Sequence, residues 1–420
     1  MSREVPDISV VVPTRDRPES LALCLAALEC QSAESLEVIV VADAPGVAAS
    51  RARADAASLR IVPFAQANIS AARNAGIAAA RGEVVAFLDD DAVPEPTWLM
   101  HLLAPFGAGR VAAAGGYVIG RNGFSFQWTA REVDCCGVAR PLALTGPDPV
   151  IRTGTHTHMV KTEGTNMAVR RSVLLALGGF DTAFRFYLDE TDLNYRLGLA
   201  GHATALVPLA QVHHGFAASS RRRADRMPLS LHDIGASTAV FLRKHAPLAR
   251  VEPAIGAARA EQDARLRRHL SAGTCTPEDL RRLMQSFEDG LEAGRGRLSG
   301  ALDALPDVDM AFAARPQPAS ARSVLLAGRN RARAQLEDAA RALRADGAVV
   351  TVLMLSRGTL FHHAAFGPGG IWRQGGGQFG RSDRDMPLIS AHTLRGRAAR
   401  EAGRLRAIRH PETPEIRIMG

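Results

Sequence analysis

The chain has 420 residues, 46% of them hydrophobic and 22% charged, which is an ordinary composition for a globular protein of two or three domains. No run approaches 18 consecutive apolar residues, and the amino terminus has no apolar segment behind basic residues. We therefore expect no transmembrane helix, no signal peptide and a cytoplasmic location, in agreement with five irregularly spaced cysteines.

The formal charge of +8 is unevenly distributed along the chain. Residues 1–220 contain 18 Lys and Arg against 22 Asp and Glu, whereas residues 221–420 contain 33 against 21. A basic half suits either nucleic acid or an anionic membrane surface. Because aromatic residues make up only 5% of the chain and no nucleic-acid-binding module is recognisable, nucleic-acid binding is disfavoured.

Strand and helix patterns alternate over the first 90 residues. Short apolar runs predict strands at 8–12, 36–42, 59–63 and 83–88, and the intervening segments predict helices at 18–30, 47–57 and 68–80. This alternation predicts an α/β domain with a mostly parallel sheet and helices on both faces. In such sheets, ligands bind just outside the carboxyl ends of the strands.

Three consecutive carboxylates, Asp89, Asp90 and Asp91, follow the last of these strands. Adjacent carboxylates repel one another, so a cluster of this kind needs a partner. A divalent cation that also holds phosphate oxygens would supply one. The alternative is a solvated acidic turn or helix cap.

The alternating pattern continues towards residue 228. The further predicted elements are helices at 98–103, 172–177 and 190–200, strands at 111–119 and 204–213, the latter interrupted by Pro208, and a linker at 217–228. Residues 120–160 read as an irregular segment. Long irregular segments inside compact domains are often functional, so we expect this one to line a ligand site.

The C-terminal half begins with helical patterns and ends in a second α/β pattern. The predicted elements are helices at 229–245 and 254–298, a linker at 313–321, strands at 323–327 and 348–355, helices at 331–345 and 390–408, and a glycine-rich loop at 367–380. We predict three domains: 1–228, a helical 229–315, and a small α/β unit at 316–420. Oligomerisation or partner docking is the default role for the last.

Residues 7–216 carry a series of motifs that together resemble the family 2 glycosyltransferases. The motifs are Ile8–Arg17, Leu36–Asp43, the Ala-Arg-Asn-Ala-Gly run at 72–76, Asp89–Asp91, Gly164–Ala168, Gly178–Asp181 and Asp189–Leu193. The resemblance implies the Rossmann-like GT-A fold. It also implies transfer of a sugar from a nucleotide-sugar donor, with inversion at the anomeric carbon.

The resemblance implies roles for the residues on the donor side. Pro13, Thr14 and Arg15 would lie beneath the nucleotide, and Asp43 would accept hydrogen bonds from the nucleobase or ribose. Arg73 would lie near the diphosphate or support the acidic motif. The alternatives are an ordinary turn aspartate at 43 and a structural arginine at 73.

The same resemblance implies a site for Mn²⁺ or Mg²⁺. Asp91 would be a direct ligand and Asp89 would face the ribose or a metal-bound water, with Asp90 beside them near the nucleotide. A histidine late in the domain supplies a further ligand in this fold. The spacing favours His214 over His213, and one of the two would be structural.

An inverting transfer needs one general base for the acceptor hydroxyl. In the family this is the aspartate of a Glu-Asp pair, which is reversed here to Asp189-Glu190. By position Glu190 would be the base, with Asp189 as the alternative. Asp192 would cap the following helix or hold a loop.

The resulting hypothesis is an inverting, metal-dependent glycosyltransferase that uses a UDP-, GDP- or dTDP-sugar. Its acceptor would be a glycan or a lipid-linked sugar in bacterial surface polysaccharide or glycoconjugate synthesis. The basic C-terminal half would allow peripheral association with the inner membrane surface, and a homo-oligomer is a further expectation. The first alternative is a catalytically degenerate nucleotide-binding scaffold; the second is a basic protein that binds nucleic acid or membranes.

Overall fold

The computed structural model describes residues 6–33, 35–215, 221–316, 322–409 and 414–419. The first elements in chain order are β1 (Ile8–Thr14), α1 (Pro18–Leu28), β2 (Leu36–Ala42), α2 (Ala44–Arg51), β3 (Leu59–Pro63), α3 (Ile69–Ala79), β4 (Val84–Phe87), β5 (Ala92–Pro94), α4 (Trp98–Leu103) and β6 (Val111–Ile119). Next come β7 (Phe126–Trp128), β8 (Arg131–Asp134), β9 (Ala139–Pro141), β10 (Val150–Arg152), β11 (His158–Lys161), β12 (Met167–Arg170), α5 (Arg171–Ala176), α6 (Asp189–Leu199) and β13 (Ala203–His214).

The remaining elements form a helical part and a second α/β unit. They are α7 (His232–His245), α8 (Leu248–Ser271), α9 (Pro277–Gly296), β14 (Ser323–Gly328), α10 (Arg333–Ala345), β15 (Val349–Ser356), β16 (His363–Gly367), β17 (Ile371–Gly377), α11 (Leu394–Arg409) and β18 (Glu415–Met419). Parts of the predicted linkers, residues 217–220 and 317–321, lie outside the described residues. Within the described residues, no helix is long and apolar enough to cross a membrane.

A sheet with the strand order β10–β13–β6–β12–β4–β1–β2–β3 forms the centre of the N-terminal part. Strands β3, β2, β1 and β4 run parallel, β12 runs antiparallel between β4 and β6, and β13 runs parallel to β6. The predicted α/β fold with a mostly parallel sheet is therefore confirmed. The carboxyl ends of β1, β2 and β4 lie at one edge of this sheet.

Helices cover both faces of the sheet because its central strands are apolar on both faces. Val12 of β1 belongs to the same apolar cluster as Leu21 of α1, whereas the neighbouring Val11 packs in a second cluster with Ile77 of α3. Successive residues of a strand point to opposite faces, so one continuous apolar run serves two layers.

The prediction of a helix at 47–57 is wrong in its position. The helix begins at Ala44, because the Asp43 carboxylate accepts a hydrogen bond from the Gly46 amide and Pro45 occupies its first turn. It ends at Arg51, and only a short 3₁₀ turn at Ala56–Ser58 follows.

One further prediction in this part is wrong and another holds in part. Residues 120–160 are not irregular, because they form a small sheet in the order β11–β8–β9 and add β7 and β10 to the main sheet. Pro208 does not end β13, but the pairing of β13 with β6 is interrupted there. The register of β13 against β6 shifts between Val207 and Gln211, and this irregularity accommodates a residue that lacks an amide hydrogen.

The helical part packs around its own apolar cluster, which includes Leu231, Leu242, Leu266 and Phe287. The predicted helical region 254–298 is divided between α8 and α9, because Thr276 begins α9 with a capping box. Helices α7 and α9 approach closely at Gly290, where an added Cβ would lie 2.1 Å from the His232 carbonyl oxygen.

The C-terminal unit is a second α/β structure with the strand order β16–β17–β15–β14–β18. All of its strands are parallel except β16, which pairs antiparallel with β17. The predicted glycine-rich loop is wrong: Gly375, Gly376 and Gly377 lie inside β17. An added Cβ at Gly377 would lie 2.2 Å from the Gly358 oxygen, so glycine is needed there for the close approach of the two backbone segments.

Candidate functional site

An acidic cluster lies where β4 ends at the carboxyl edge of the main sheet. Strand β5 pairs with β13 so that Ala92 lies opposite His214, and the Gly215 amide donates to the Asp91 carbonyl oxygen at 2.8 Å. This pairing brings Asp91 and His214 together although 123 positions separate them. Ligand atoms of Asp89, Asp91 and His214 all lie within 4.8 Å of one another.

The donor atoms of this cluster fit a divalent cation. His214 Nε2 lies 3.2 Å from Asp91 Oδ1, and the side chains of both residues are buried. Two carboxylates and an imidazole are ligands that suit Mn²⁺, and carboxylates also suit Mg²⁺. Gln127 and Trp128 of β7 support the histidine, with Gln127 Oε1 3.4 Å from its Nδ1 and the Trp128 ring centroid 5.8 Å from its ring.

Arginines surround the same carboxylates. Arg17 Nη1 lies 3.2 Å and Arg222 Nη2 lies 3.3 Å from Asp91 carboxylate oxygens. Arg17 also pairs with Asp90, which accepts a 2.7 Å hydrogen bond from Thr14. Burial raises the pKa of Asp90 to about 7, although Arg17 and Thr14 act to lower it. Asp90 and Thr14 therefore face each other inside the protein rather than the open edge of the site.

The structure does not bring His213 into the cluster. His213 and His214 are neighbours on β13, so their side chains point to opposite sides of the strand. His213 Nε2 lies 2.8 Å from Glu95 Oε1, and its ring contacts Trp372 of the C-terminal unit. Of the two predicted histidines, His214 is the one placed for a metal, and the prediction of His213 as a ligand is corrected.

Arg73 of α3 connects the acidic cluster with the acidic pair of α6. Its Nη2 lies 3.2 Å from Asp89 Oδ1 and donates to the Gly164 carbonyl oxygen, while its Nη1 pairs with Asp189. The guanidinium also lies over the Phe180 ring. Of the two roles predicted for Arg73, its contacts match support of the acidic motif.

The acidic pair begins α6, behind a strained turn. Tyr187 and Leu188 have positive φ angles of 71° and 62°, which non-glycine residues rarely adopt and which recur at functional sites. The turn directs Asp189 inward to Arg73. Glu190 Oε1 accepts from Lys161 Nζ at 2.9 Å and from the Thr191 hydroxyl at 3.1 Å.

The two carboxylates of the pair have opposite electrostatic environments. Burial raises the pKa of Asp189 to about 7, with Glu190 adding to the increase and Arg73 opposing it. Burial also acts to raise the pKa of Glu190, but the charge and hydrogen bond of Lys161 lower it to about 2. Glu190 is therefore ionised at neutral pH.

Asp192 holds helix α6 against the neighbouring helix α7. Its side chain is fully buried and contacts Arg196 at 2.8 Å, Lys244 at 2.8 Å and His245 at 2.8 Å. Burial acts against the charge, but the hydrogen bond from His245 and the two cations hold the pKa of Asp192 well below its usual range. The carboxylate thus joins α6 to α7, which is a structural role.

We expect Asp192→Asn to lower the free energy of unfolding by about 3–5 kcal/mol at pH 7, because it leaves buried cations unpaired. A carboxylate whose folded pKa is depressed stabilises the protein above its unfolded pKa of about 3.9, and this contribution is lost as the pH falls through the folded value. The deficit of the variant should therefore shrink between pH 7 and pH 3. Urea unfolding at both pH values measures it, and equal stability at pH 7 would contradict the assignment.

The residues predicted to bind the nucleotide lie at the carboxyl ends of β1 and β2. Asp43 Oδ2 accepts from the Asp16 amide at 2.8 Å and its Oδ1 from the Gly46 amide at 3.1 Å. Pro13 and Thr14 end β1, and Arg15 donates to the Ala65 carbonyl oxygen at 2.8 Å. A cavity of about 570 Å³ opens beside Asp43; it is lined by Ala42, Asp43, Ala44, Val47, Ala48, Arg51, Pro63, Phe64 and Ala65.

Several residues of the site were not predicted from the sequence. Arg17 and Arg222 contact the acidic cluster, Lys161 contacts Glu190, and Gln127 with Trp128 contacts His214. Only Arg17 lies inside a recognised motif, and its place in the loop after β1 was a usable signal. Strand pairing brings in Gln127, Trp128 and Lys161, and the segment after β13 brings in Arg222.

Comparison with known proteins finds a match to a family model in the N-terminal part. Residues 9–178 match the family model "Glycosyl transferase family 2". The chain is 26% identical over 351 residues to the O-antigen biosynthesis protein RfbC of Myxococcus xanthus. This alignment covers 70% of this chain and 26% of RfbC. It is 31% identical over 183 residues to the glucosyl-dolichyl phosphate glucuronosyltransferase of Haloferax volcanii, covering 42% of this chain and 56% of that protein.

The chain thus spans between about a quarter and about half of the length of these relatives. Among solved structures, GalNAc-T7 with UDP, GalNAc and Mn²⁺ aligns with a TM-score of 0.45 and 16% identity, covering 57% of this chain and 48% of that one. S. aureus TarS aligns with a TM-score of 0.39 and 17% identity, covering 63% and 44%.

Proposed function

We propose that the protein is an inverting, metal-dependent glycosyltransferase. The match of residues 9–178 to glycosyl transferase family 2 supports this class of enzyme. It moves a sugar from a nucleoside-diphosphate sugar to an acceptor hydroxyl. The observation that carries the metal dependence is the convergence of Asp89, Asp91 and His214 at the carboxyl edge of the sheet.

Asp89, Asp91 and His214 would hold the cation. When bound, Mn²⁺ or Mg²⁺ supplies positive charge that stabilises the departing diphosphate. Arg17 and Arg222 add fixed positive charge within 3.3 Å of Asp91. We expect both arginines to contact the same leaving group.

Asp43 and the adjacent cavity would receive the nucleoside. Each carboxylate oxygen of Asp43 already accepts one backbone amide, which fixes its orientation. A carboxylate oxygen can accept a second hydrogen bond, so Asp43 can still accept one from the base or ribose. Phe64 and Val47 give the cavity the apolar walls that a base needs.

Glu190 is the proposed general base of a single displacement. The Asp189 side chain is 5% exposed, and its carboxylate pairs with Arg73. The Glu190 side chain is 18% exposed, and Lys161 orients it through a contact with one of its carboxylate oxygens. Glu190 is also ionised at neutral pH, which is the state a base requires. Asp189 is then a positioning residue that fixes the start of α6.

The acceptor is proposed to be a glycan or a lipid-linked sugar. Support comes from the names of two relatives, one an O-antigen biosynthesis protein and the other a transferase to glucosyl-dolichyl phosphate. A role in surface polysaccharide or glycoconjugate synthesis follows from this proposal. A cytoplasmic enzyme that associates with the membrane surface through its basic C-terminal half would meet such an acceptor.

Thermal unfolding with UDP, GDP, dTDP and CDP, each with and without Mn²⁺, tests the donor site. We expect one nucleotide to raise the melting temperature only when Mn²⁺ is present, because a ligand that binds the folded state stabilises it. Equal shifts with and without Mn²⁺ would contradict the metal dependence. No shift with any nucleotide at millimolar concentration would contradict the donor site, and with it the nucleotide-binding scaffold that is the alternative.

A further inference from the structure

Three buried side chains join the C-terminal unit to the strands that carry the metal cluster. We call Glu95, His213 and Arg409 the clamp. Arg409 donates to both carboxylate oxygens of Glu95, at 2.7 Å from Nε and 2.5 Å from Nη2, and His213 Nε2 lies 2.8 Å from the same carboxylate. Glu95 is 0% and Arg409 is 1% exposed.

Trp372 and the end of α11 enclose the clamp. The Arg409 guanidinium lies 3.9 Å above the Trp372 ring, and the His213 ring centroid lies 4.8 Å from that of Trp372. The Thr97 hydroxyl, just before α4, donates to the Ile408 carbonyl oxygen at 2.6 Å. The C-terminal end of α11 is therefore fixed to the N-terminal part by polar contacts as well as by packing.

The clamp acts on the strand pair that brings two metal-cluster residues together. Asp91 lies directly before β5 and His214 is paired with Ala92 at the start of β5, while Glu95 follows the end of β5. Strand β5 has only three residues, and a pairing this short is marginal without support. The contact from Glu95 to His213 ties the far end of this pair together.

A second contact supports the other side of His214. The Ala364 amide of β16 donates to the Asn122 carbonyl oxygen at 3.1 Å, and Arg404 of α11 lies over the Phe124 ring. Residues 122 and 124 belong to the turn between β6 and β7, and β7 carries the side chains that contact His214. The C-terminal unit thus touches both segments that flank the histidine.

The buried ion pair of the clamp indicates a role in orienting the two units relative to each other, more than a role in stabilising their contact. Burying an ion pair costs desolvation energy that its attraction often fails to recover, so apolar residues would hold the two units together at least as well. A two-pronged arginine–carboxylate contact instead fixes distance and angle.

We propose that the C-terminal unit contributes to the donor site. In this proposal Arg409 and His213 are positioning residues, which keep Asp91 and His214 close enough together to bind one metal ion. This inference rests on the proposed metal site. It assigns the C-terminal unit a role in metal binding that requires neither a second copy of the chain nor a partner.

The test measures the affinity of the full chain for Mn²⁺ from the electron paramagnetic resonance signal of free Mn²⁺. We expect Arg409→Met and His213→Phe each to raise the Kd by about tenfold, the loss typical when a support of a metal ligand is removed. Arg60→Met is the matched control, since it removes an arginine from the buried carboxylate of Glu37, near the amino ends of the strands. Its Kd should equal that of the wild type.

Circular dichroism tests whether each variant is folded. Should Arg409→Met fail to fold, Glu95→Leu with Arg409→Met replaces the ion pair by apolar groups, and the same rise in Kd is expected. Wild-type affinity in a folded clamp variant would overturn the positioning role and leave the metal site standing. A wild-type chain that binds no Mn²⁺ would overturn both.

Discussion

Asp91→Asn is expected to reduce the rate of sugar transfer by about 10³-fold and to remove the stimulation by Mn²⁺. Asn keeps the size of the side chain but loses the charge that faces His214, Arg17 and Arg222. The proposed cation would lose its main anionic ligand, and the two arginines would lose their shared partner. Initial rates of nucleoside diphosphate release at saturating donor measure the effect.

Asp90→Asn is the matched control, because it makes the same change at the adjacent residue. Asp90 faces Thr14 and Arg17 inside the protein, and burial raises its pKa to about 7, so it carries only part of a charge at neutral pH. We expect this variant to keep its dependence on Mn²⁺. If both variants lost activity equally while remaining folded, the separate role of Asp91 would be wrong.

Glu190→Gln is expected to lower kcat by about 10²- to 10⁴-fold while the affinity for the donor nucleotide stays unchanged. Gln keeps the hydrogen-bonding shape beside Lys161 but cannot accept a proton. Single-turnover rates give the loss of kcat, and nucleotide titration gives the affinity. A fully active Glu190→Gln together with a folded but inactive Asp189→Asn would transfer the role of base to Asp189.

The pH dependence of kcat separates the same two residues. A base must be deprotonated, and the pKa of Glu190 is lowered to about 2, so protonation of Glu190 should not reduce kcat between pH 5 and pH 8. The pKa of Asp189 is raised to about 7, so a rate that depended on Asp189 would fall roughly tenfold per unit below that pH. A flat profile above pH 5 is therefore expected.

Much of the first 120 residues was predictable because the signals there are local. Apolar runs defined the central strands, and the position of Asp89 to Asp91 after β4 located the carboxyl edge of the sheet. The histidine pair was harder. Side-chain alternation along β13 separates His213 from His214, but the irregularity after Val207 prevents a count along the strand from showing which of them faces the carboxylates, and only the motif spacing favoured His214.

The site residues that the sequence did not predict are brought together by long-range contacts. Lys161 meets Glu190 across 29 positions, Arg222 meets Asp91 across 131, and Arg409 meets Glu95 across 314. No local pattern encodes such pairs. The short strands at 126–161 were missed because segments of three or four residues carry little periodicity, and glycines that pack inside β17 look like loop residues in the sequence.

Release of nucleoside diphosphate from UDP-, GDP- and dTDP-sugars, with water or a glycan acceptor, tests the central claim most directly. The wild-type chain should release product from one donor type in Mn²⁺ and stop in EDTA, and Asp91→Asn should be about 10³-fold slower in Mn²⁺, with no stimulation by the metal. Release that continues in EDTA, or that Asp91→Asn retains, would contradict metal-dependent glycosyl transfer at the Asp89–Asp91–His214 cluster.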